Sequence, residues 1–393
     1  MKRVLFVDDE PLVLGAIQRL LWPIRRELTP KFAGSGEEAL KLLSSEPFDV
    51  IVSDMRMPGM DGAELLSAVR SRWPEIIRIT LTGEAGAGIL TRVLPVAHRF
   101  LSKPCDPELL RSTITRACEL RQLLESGELR NLAAGLRGLP SLPKLYREIV
   151  AELESPDPSM QNVAGIVSQD MGMTVKLIQV ANSPVFGRRF PAANIGQAVI
   201  ALGMEMTRNL VLAGGLFSGF PPEAEETFQL GRLWEHCRLT AELARIVAES
   251  WNADARIKQD AATAGFLHEV GQLVFAASIP DRYARVFRAT RRSSAMLLIE
   301  ETKEFGTTHA AIGAYLLGLW GIPETVIEAV AWHHTPNRPN AAEPTAIAAV
   351  RIADELIDSF DEERAPNLSE FSTLASAGQQ AEWLGMIPTL KGK

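Results

Sequence analysis

A doubly wound α/β domain with a five-stranded parallel sheet, followed by an all-α domain, is the architecture this sequence predicts. Three observations predict it. Up to about residue 124, five short apolar runs alternate with helical stretches, and the runs end in carboxylates, hydroxyls or turns. Beyond about residue 139, apolar residues recur at three- and four-residue spacing: Leu145, Ile149 and Leu153, then Val163, Ile166 and Val167, then Val175, Leu177, Ile178 and Ala181. Finally, 393 residues, 46% of them hydrophobic, leave room for roughly two or three domains, each with a core of its own.

Composition excludes several classes. Mean hydropathy of +0.04 and 23% charged residues describe an ordinary globular chain rather than a disordered or fibrous one. The net charge of -7 argues against bulk attraction to nucleic acid or anionic lipid. Arg188-Arg189 and Arg291-Arg292 read as solvated surface, with no helix-turn-helix signature beside them. Cys105, Cys118 and Cys237 have neither metal nor disulfide spacing, which suits a reducing compartment. An apolar strand begins by Val4, leaving no space for a leader, and no apolar run approaches the roughly eighteen residues of a membrane helix. A cytoplasmic location is expected.

Taken in order, strand one is Arg3-Val4-Leu5-Phe6-Val7, ending in Asp8-Asp9-Glu10. A helix runs from near Pro11 to about Leu21, Pro23 breaks it, and a second strand lies near Lys31-Phe32-Ala33. Ser35 with Glu38 forms a capping box for the next helix. Val50-Ile51-Val52-Ser53 runs straight into Asp54, and Pro58, Gly59 and the capping pair Asp61 and Glu64 follow. Ile76 to Leu81 gives strand four and delivers Thr82-Gly83. Phe100-Leu101 gives a short strand five ending in Ser102-Lys103-Pro104, after which Asp106-Pro107-Glu108 opens a helix expected to continue to Glu125.

In such a sheet the strand ends form the ligand crevice, which gathers Asp8, Asp9, Asp54, Thr82 and Lys103. Adjacent carboxylates repel one another unless a cation sits among them, and Mg²⁺ takes oxygen ligands of this kind. A carboxylate nucleophile accepting a phosphoryl group needs that metal, a cation and a hydroxyl. Asp54 is placed as the nucleophile. Asp9, Asp54 and the backbone carbonyl of Arg56 are placed on Mg²⁺, with Asp8 one shell out. Lys103 and Thr82 are placed on the phosphoryl oxygens.

These positions, with Phe100 three residues before Lys103 and the Lys103-Pro104 pair, resemble the receiver domain of two-component response regulators over residues 1–124. The resemblance implies phosphorylation at Asp54 by a sensor histidine kinase or phosphotransfer protein of a bacterial signalling system. It also implies a joint movement of Thr82 and Phe100, and a cis Lys103-Pro104 bond. Arg56 is a bulky neighbour of the acceptor.

Residues 125–138, punctuated by Gly127, Gly135 and Gly138, read as a partly helical linker. Leu139-Pro140-Ser141-Leu142-Pro143, Ile166 to Asp170, Leu177 to Ser183 and Ala198 to Gly203 then resemble the HDOD family, all-α relatives of the HD metal phosphohydrolases. Met171 stands where a Pro commonly follows the motif's Asp. The domain is expected over 139–360, in an N-terminal part (139–225) and an HD-like part (226–360). The tail, 361–393, carries a helix expected from Leu368 to Leu384, with Phe371, Leu374 and Trp383 packing it.

Five of the six histidines lie after residue 235. His236, His268-Glu269, His309, His333-His334 and Asp354 follow the order of ligands in HD phosphohydrolases, including those that cleave cyclic dinucleotides. That order implies a site for Fe, Mn or Zn. Against it, Glu269 stands where the bridging Asp belongs, Gln272 where a Lys is usual, and no Gly-Tyr-Pro follows. The first functional expectation is a response regulator whose HDOD output signals through protein-protein contact. The alternative is a receiver-gated, metal-dependent phosphodiesterase. The downstream partner, self-association as a homodimer, and the sign of the phosphorylation effect are not legible.

Overall fold

A computed structural model describes every residue except 1, 23–27, 83–91, 94, 104, 121–123, 125, 137–138, 140–142, 156, 184–191, 213–221, 291–292, 336–342 and 393. In the first domain β1 (Lys2–Val7), α1 (Pro11–Leu21), β2 (Leu28–Ala33), α2 (Gly36–Ser45), β3 (Val50–Asp54), α3 (Gly62–Arg72), β4 (Ile77–Thr82), β5 (Arg99–Ser102) and α4 (Pro107–Leu120) follow one another. The strands form one parallel sheet in the order β2-β1-β3-β4-β5, with Val4 opposite Val50, Val50 opposite Ile77 and Ile79 opposite Arg99. This is the expected doubly wound sheet. β3 and β4 are buried along their whole length, so both faces are covered, as continuous apolar runs require.

Asp61 and Glu64 form the expected capping box, and the Asp106 side chain accepts from the Leu109 backbone N–H at 2.8 Å. The Ser35 box is only half made. Ser35 accepts from the Glu38 backbone, but Glu38 reaches past the cap to the Gly34 backbone N–H at 2.7 Å. The helix expected to reach Glu125 is described to Leu120, and Leu124 is not helical. The crossover between β4 and β5, Pro104, and both arginine pairs lie largely or wholly outside the described residues.

Everything described beyond β5 is helical or connecting: α5 (Gly127–Gly135), α6 (Pro143–Leu153), α7 (Met160–Val167), α8 (Met171–Ala181), α9 (Ile195–Leu212, broken at Gly203), α10 (Pro222–Thr227), α11 (Leu230–Ser250), α12 (Ala255–Leu267), α13 (Val270–Ser278), α14 (Pro280–Ala289), α15 (Ser294–Phe305), α16 (His309–Leu319), α17 (Glu324–Trp332), α18 (Ala346–Asp361) and α19 (Ala377–Lys391). Helices α11, α12, α16, α17 and α18 hold the core of the HD-like part. Among the described residues, no helix is long and apolar enough to cross a membrane.

The tail differs from expectation. A 3₁₀ turn over Ser369–Phe371 precedes α19, which starts later and runs further than Leu368–Leu384. Ser376 caps it with Gln379, and Phe371 and Trp383 are buried against α11 and α18. The segment read as a linker is also packed. Ala134 at the end of α5 accepts from Arg78 Nη2 at 2.7 Å and from His98 Nε2 at 3.0 Å, which joins it to β4 and β5.

Candidate functional site

Two clusters of ligating side chains stand out, one in each domain. In the first, Asp54 ends β3 beside Asp8, which follows β1, and Lys103, which follows β5. Lys103 Nζ lies 2.7 Å from Asp8 Oδ2 and 3.0 Å from Asp54 Oδ1. Partial burial works against the ammonium, but hydrogen bonds to the two carboxylates outweigh it and raise its pKa. Asp8, Asp9 and Asp54 each offer an oxygen within 4.8 Å of the others. Asp8 and Asp54 are buried while Asp9 faces solvent, so the oxygens are reachable from one side. Thr82 and Phe100 are buried at the same sheet edge, and the Lys103 backbone donates to Thr82 O at 2.8 Å.

Gly62 makes that edge possible. A Cβ there would stand 2.1 Å from the Asp54 carbonyl oxygen, so only glycine lets α3 start against the end of β3. Asp8, Asp9, Asp54, Thr82, Phe100 and Lys103 all fall at this edge, and the Arg56 side chain, two residues beyond β3, is exposed.

The second cluster is built where helices meet at glycines. A Cβ on Gly265 would lie 2.9 Å from Ala241 Cα, so α12 crosses α11 closely and brings His268 to His236. A Cβ on Gly271 would lie 1.9 Å from His309 O, and one on Gly313 3.0 Å from Gly271 N. That contact between α13 and α16 sets Glu269 against His309.

All seven residues expected there converge. His236, His268 and Asp354 form one group of ligand atoms within 4.8 Å, and Glu269, His309, His333 and His334 form another. Glu269 touches both: Oε1 is 3.9 Å from His268 Nε2, and Oε2 is 3.2 Å from His309 Nε2. The longer side chain thus spans the two groups from the position where the sequence argument expected a misfit. Gln272 Nε2 donates to Glu269 Oε2 at 2.5 Å.

The histidines are oriented from behind. His268 Nδ1 lies 2.7 Å from Gly265 O, and His333 Nδ1 2.7 Å from Val330 O. A carbonyl only accepts, so each Nδ1 carries a proton and each Nε2 is turned inward. His309 Nδ1 faces the Glu301 carboxylate at 2.8 Å with the same result. Inside, His268 Nε2 meets His236 Nε2 at 3.1 Å and Asp354 Oδ1 at 3.4 Å; His309 Nε2 meets His334 Nε2 at 3.1 Å. His333 Nε2 is buried with no hydrogen bond, and Asp354 Oδ1 lies 3.1 Å from His236 Nε2.

Lone pairs and carboxylates pointed at one another demand a cation between them, a proton or a metal ion. Protons serve in part. Burial lowers the pKa of His236 and His309, but facing carboxylates, Asp354 for the first and Glu269 for the second, raise both to about 9. His334 is pushed by burial down to about 4, and His333 well below its ordinary value. A bound metal ion would displace the protons of His236 and His309, and the mixed imidazole-carboxylate set suits a transition metal. The cluster opens to solvent at His236 and His334, whose side chains are 18% and 15% exposed.

Glu301 and Asp358 were missed by the sequence reading. Glu301 is fully buried, and Asp358 Oδ1 lies 3.9 Å from His236 Nδ1. Glu301 had a signal: with Leu297 and Phe305 it occupies one i, i+4, i+8 stripe of α15, where an apolar residue is expected.

A parallel sheet with a carboxylate crevice, followed by a helical domain with a histidine-carboxylate cage, defines a regulator with a receiver and an HD-related output. Comparison with known proteins makes the class specific. The profile of the response regulator receiver domain matches residues 4–115, and that of the HDOD domain matches residues 139–336. The chain belongs to the HDOD family and carries a response regulator receiver domain ahead of it.

An uncharacterized protein of Treponema pallidum is 27% identical over 256 residues, 64% of this chain and 49% of that protein. The cyclic di-GMP phosphodiesterase response regulator RpfG of Xanthomonas campestris pv. campestris is 30% identical over 200 residues, 45% of this chain and 52% of that protein. The hydrogenase transcriptional regulatory protein HoxA of Cupriavidus necator is 38% identical over 154 residues, 39% of this chain and 30% of that protein. The chain thus spans about half, or less, of these relatives. The MmoQ response regulator of Methylococcus capsulatus shares the fold, with a TM-score of 0.53 at 21% identity over 62% of this chain and 97% of that one.

Proposed function

We propose that this response regulator takes a phosphoryl group on Asp54 and that its HD-like part is a metal-holding output that hydrolyses a phosphoester. The receiver is assigned to residues 1–124 and the HDOD domain to 139–360. The observation that carries the reading is the inward convergence of the Nε2 atoms of His268, His309 and His333, each fixed through its Nδ1, upon Glu269 and Asp354. An imidazole kept only for packing has no need of this arrangement.

In the receiver, an Asp54 oxygen attacks phosphorus and the phosphodonor, a sensor histidine kinase or phosphotransfer protein, keeps the electrons of the broken bond. Lys103 already holds Asp54 Oδ1 and turns to the added oxygens; Thr82 donates to them. Asp9, Asp54 and the Arg56 carbonyl are the groups for Mg²⁺, with Asp8 behind. In the output, His236, His268 and Asp354 would hold one cation, and His309, His333 and His334 another, with Glu269 between. Bound there, such cations supply Lewis acidity toward phosphoryl oxygens.

Metal content of the purified protein tests the cage, with His268→Ala and His309→Ala as controls. Near-stoichiometric Fe, Mn or Zn, lowered by each substitution and abolished by the two together, is expected. Metal-free, folded wild type would sink the cage. Hydrolysis of bis(p-nitrophenyl) phosphate or a cyclic dinucleotide, lost in His268→Ala, tests the chemistry. Asp54→Asn should abolish labelling by a phosphodonor, and full labelling of that variant would overturn the receiver assignment.

A second reading, output through protein-protein contact, has one observation in its favour. The Gln272 amide occupies Glu269 Oε2. Metal-loaded protein that hydrolyses none of a broad phosphoester panel would select it.

A further inference from the structure

Glu301 lies outside both ligand groups, yet both of its carboxylate oxygens are engaged. It comes from α15, which contributes no ligand, and its side chain is fully buried. Oε2 accepts from the backbone N–H of His309 at 2.8 Å and faces His309 Nδ1 at 2.8 Å, while Oε1 accepts from Tyr283 O–H at 3.2 Å. A buried carboxylate costs several kcal/mol to desolvate unless it is well satisfied, so a neutral residue would serve packing better. What the charge does that packing does not is fix the tautomer and raise the basicity of the imidazole in front of it.

The other half of the cage lacks this device. His268 rests on the Gly265 carbonyl, and Asp358 stands off His236 Nδ1 at 3.9 Å, beyond hydrogen-bond reach. We infer that Glu301 is a positioning residue that makes the Glu269, His309, His333, His334 half of the cage the tighter of the two metal sites. The inference rests on the metal-holding reading above and adds an order of affinity within it. His309 Nδ1–H donates to Glu301, and His309 Nε2 is thereby held toward Glu269 and His334 as a strong donor.

The experiment is a titration of chelator-treated full-length protein with Co²⁺ against a competing chelator, following visible absorption, for wild type, Glu301→Gln, Glu301→Asp and Tyr283→Phe. With excess Mg²⁺ present to occupy the receiver carboxylates, wild type should fill in two steps of unequal affinity. Glu301→Gln keeps the shape and an acceptor for the His309 backbone; it should weaken the tighter step by about 10- to 100-fold, leave the weaker step unchanged, and shift the absorption of the first equivalent. Glu301→Asp should recover part of the loss, and Tyr283→Phe, which touches only Oε1, should leave both steps within about threefold. Melting curves of the metal-free variants guard against a folding defect.

Equal affinities in wild type and Glu301→Gln, or a parallel loss in both steps, would overturn the inference while leaving the cage intact. Wild type that takes up no Co²⁺ would overturn the cage itself and the inference with it.

Discussion

Lys176 sits on α8 in the core of the helical domain, 3% exposed, with Nζ 5.1 Å from the centre of the Trp320 ring. Burial drives its pKa from 10.5 down to about 7. The unfolded chain therefore binds one more proton than the folded one between those values, so stability is greatest above the unfolded pKa and is lost as pH falls toward 7. The slope is at most about 1.4 kcal/mol per pH unit. Urea unfolding between pH 7 and 9 should show stability rising with pH, and Lys176→Met should flatten the rise and raise the melting temperature at pH 7. An unchanged slope in the variant would refute this assignment. Arg78 is buried in the same way within β4, but carbonyls of Pro74, Ile76, Val96 and Ala134 satisfy its guanidinium.

Elements meet at the sites because glycines remove the side chain where two backbones must touch. Gly271→Ala would place a methyl on His309 O, which forces α13 and α16 apart and separates Glu269 from His309. A loss of about 3 kcal/mol is expected from such overpacking. It should come with metal affinity reduced more than in Gly378→Ala, where a Cβ meets nothing within 4 Å. Equal melting temperatures and equal metal uptake in the two variants would rule this out. At the other cluster, Gly62→Ala should lower both stability and phosphodonor labelling, since its Cβ collides with the carbonyl of Asp54 itself. The tail shows the opposite case. Its Phe371 and Trp383 anchors are apolar residues that any packing solution accommodates, so their presence announced a packed segment without fixing where the helix begins.

Across the whole molecule, the receiver and the HD-like part are joined through β5 and α4. Arg99 in β5 donates to Gly318 O at 2.5 Å, near the end of the helix that begins with His309. Arg116 in α4 pairs with Glu324, at the start of the helix that leads to His333 and His334. Gln179 donates to His98 O at 3.0 Å between them. β5 also leads directly into Lys103, so one strand borders both the Asp54 crevice and α16. Arg99→Ala combined with Arg116→Ala should leave labelling of Asp54 within about twofold of wild type and speed amide exchange in α16 and α17. Unaltered exchange there would show that these contacts do not hold the domains together.

Periodicity and local chemistry dictated much of this molecule in advance. The succession of strands and helices and the Asp61–Glu64 cap were legible because each depends on neighbours within a few positions, and the seven histidine and carboxylate positions were singled out by their resemblance to the ligand order of HD phosphohydrolases. The folded chain decided what depends on distance through space. Which face of α15 turns inward made Glu301 a partner of His309. The glycine crossings brought Glu269 within reach of both ligand groups, where a Glu in the place of the bridging Asp had argued against the site. The contact of Ala134 with Arg78 and His98 turned an apparent linker into part of an interface. Burial and long-range packing are properties of the assembled helices, and a local pattern holds no record of which distant backbone will come to lie against it.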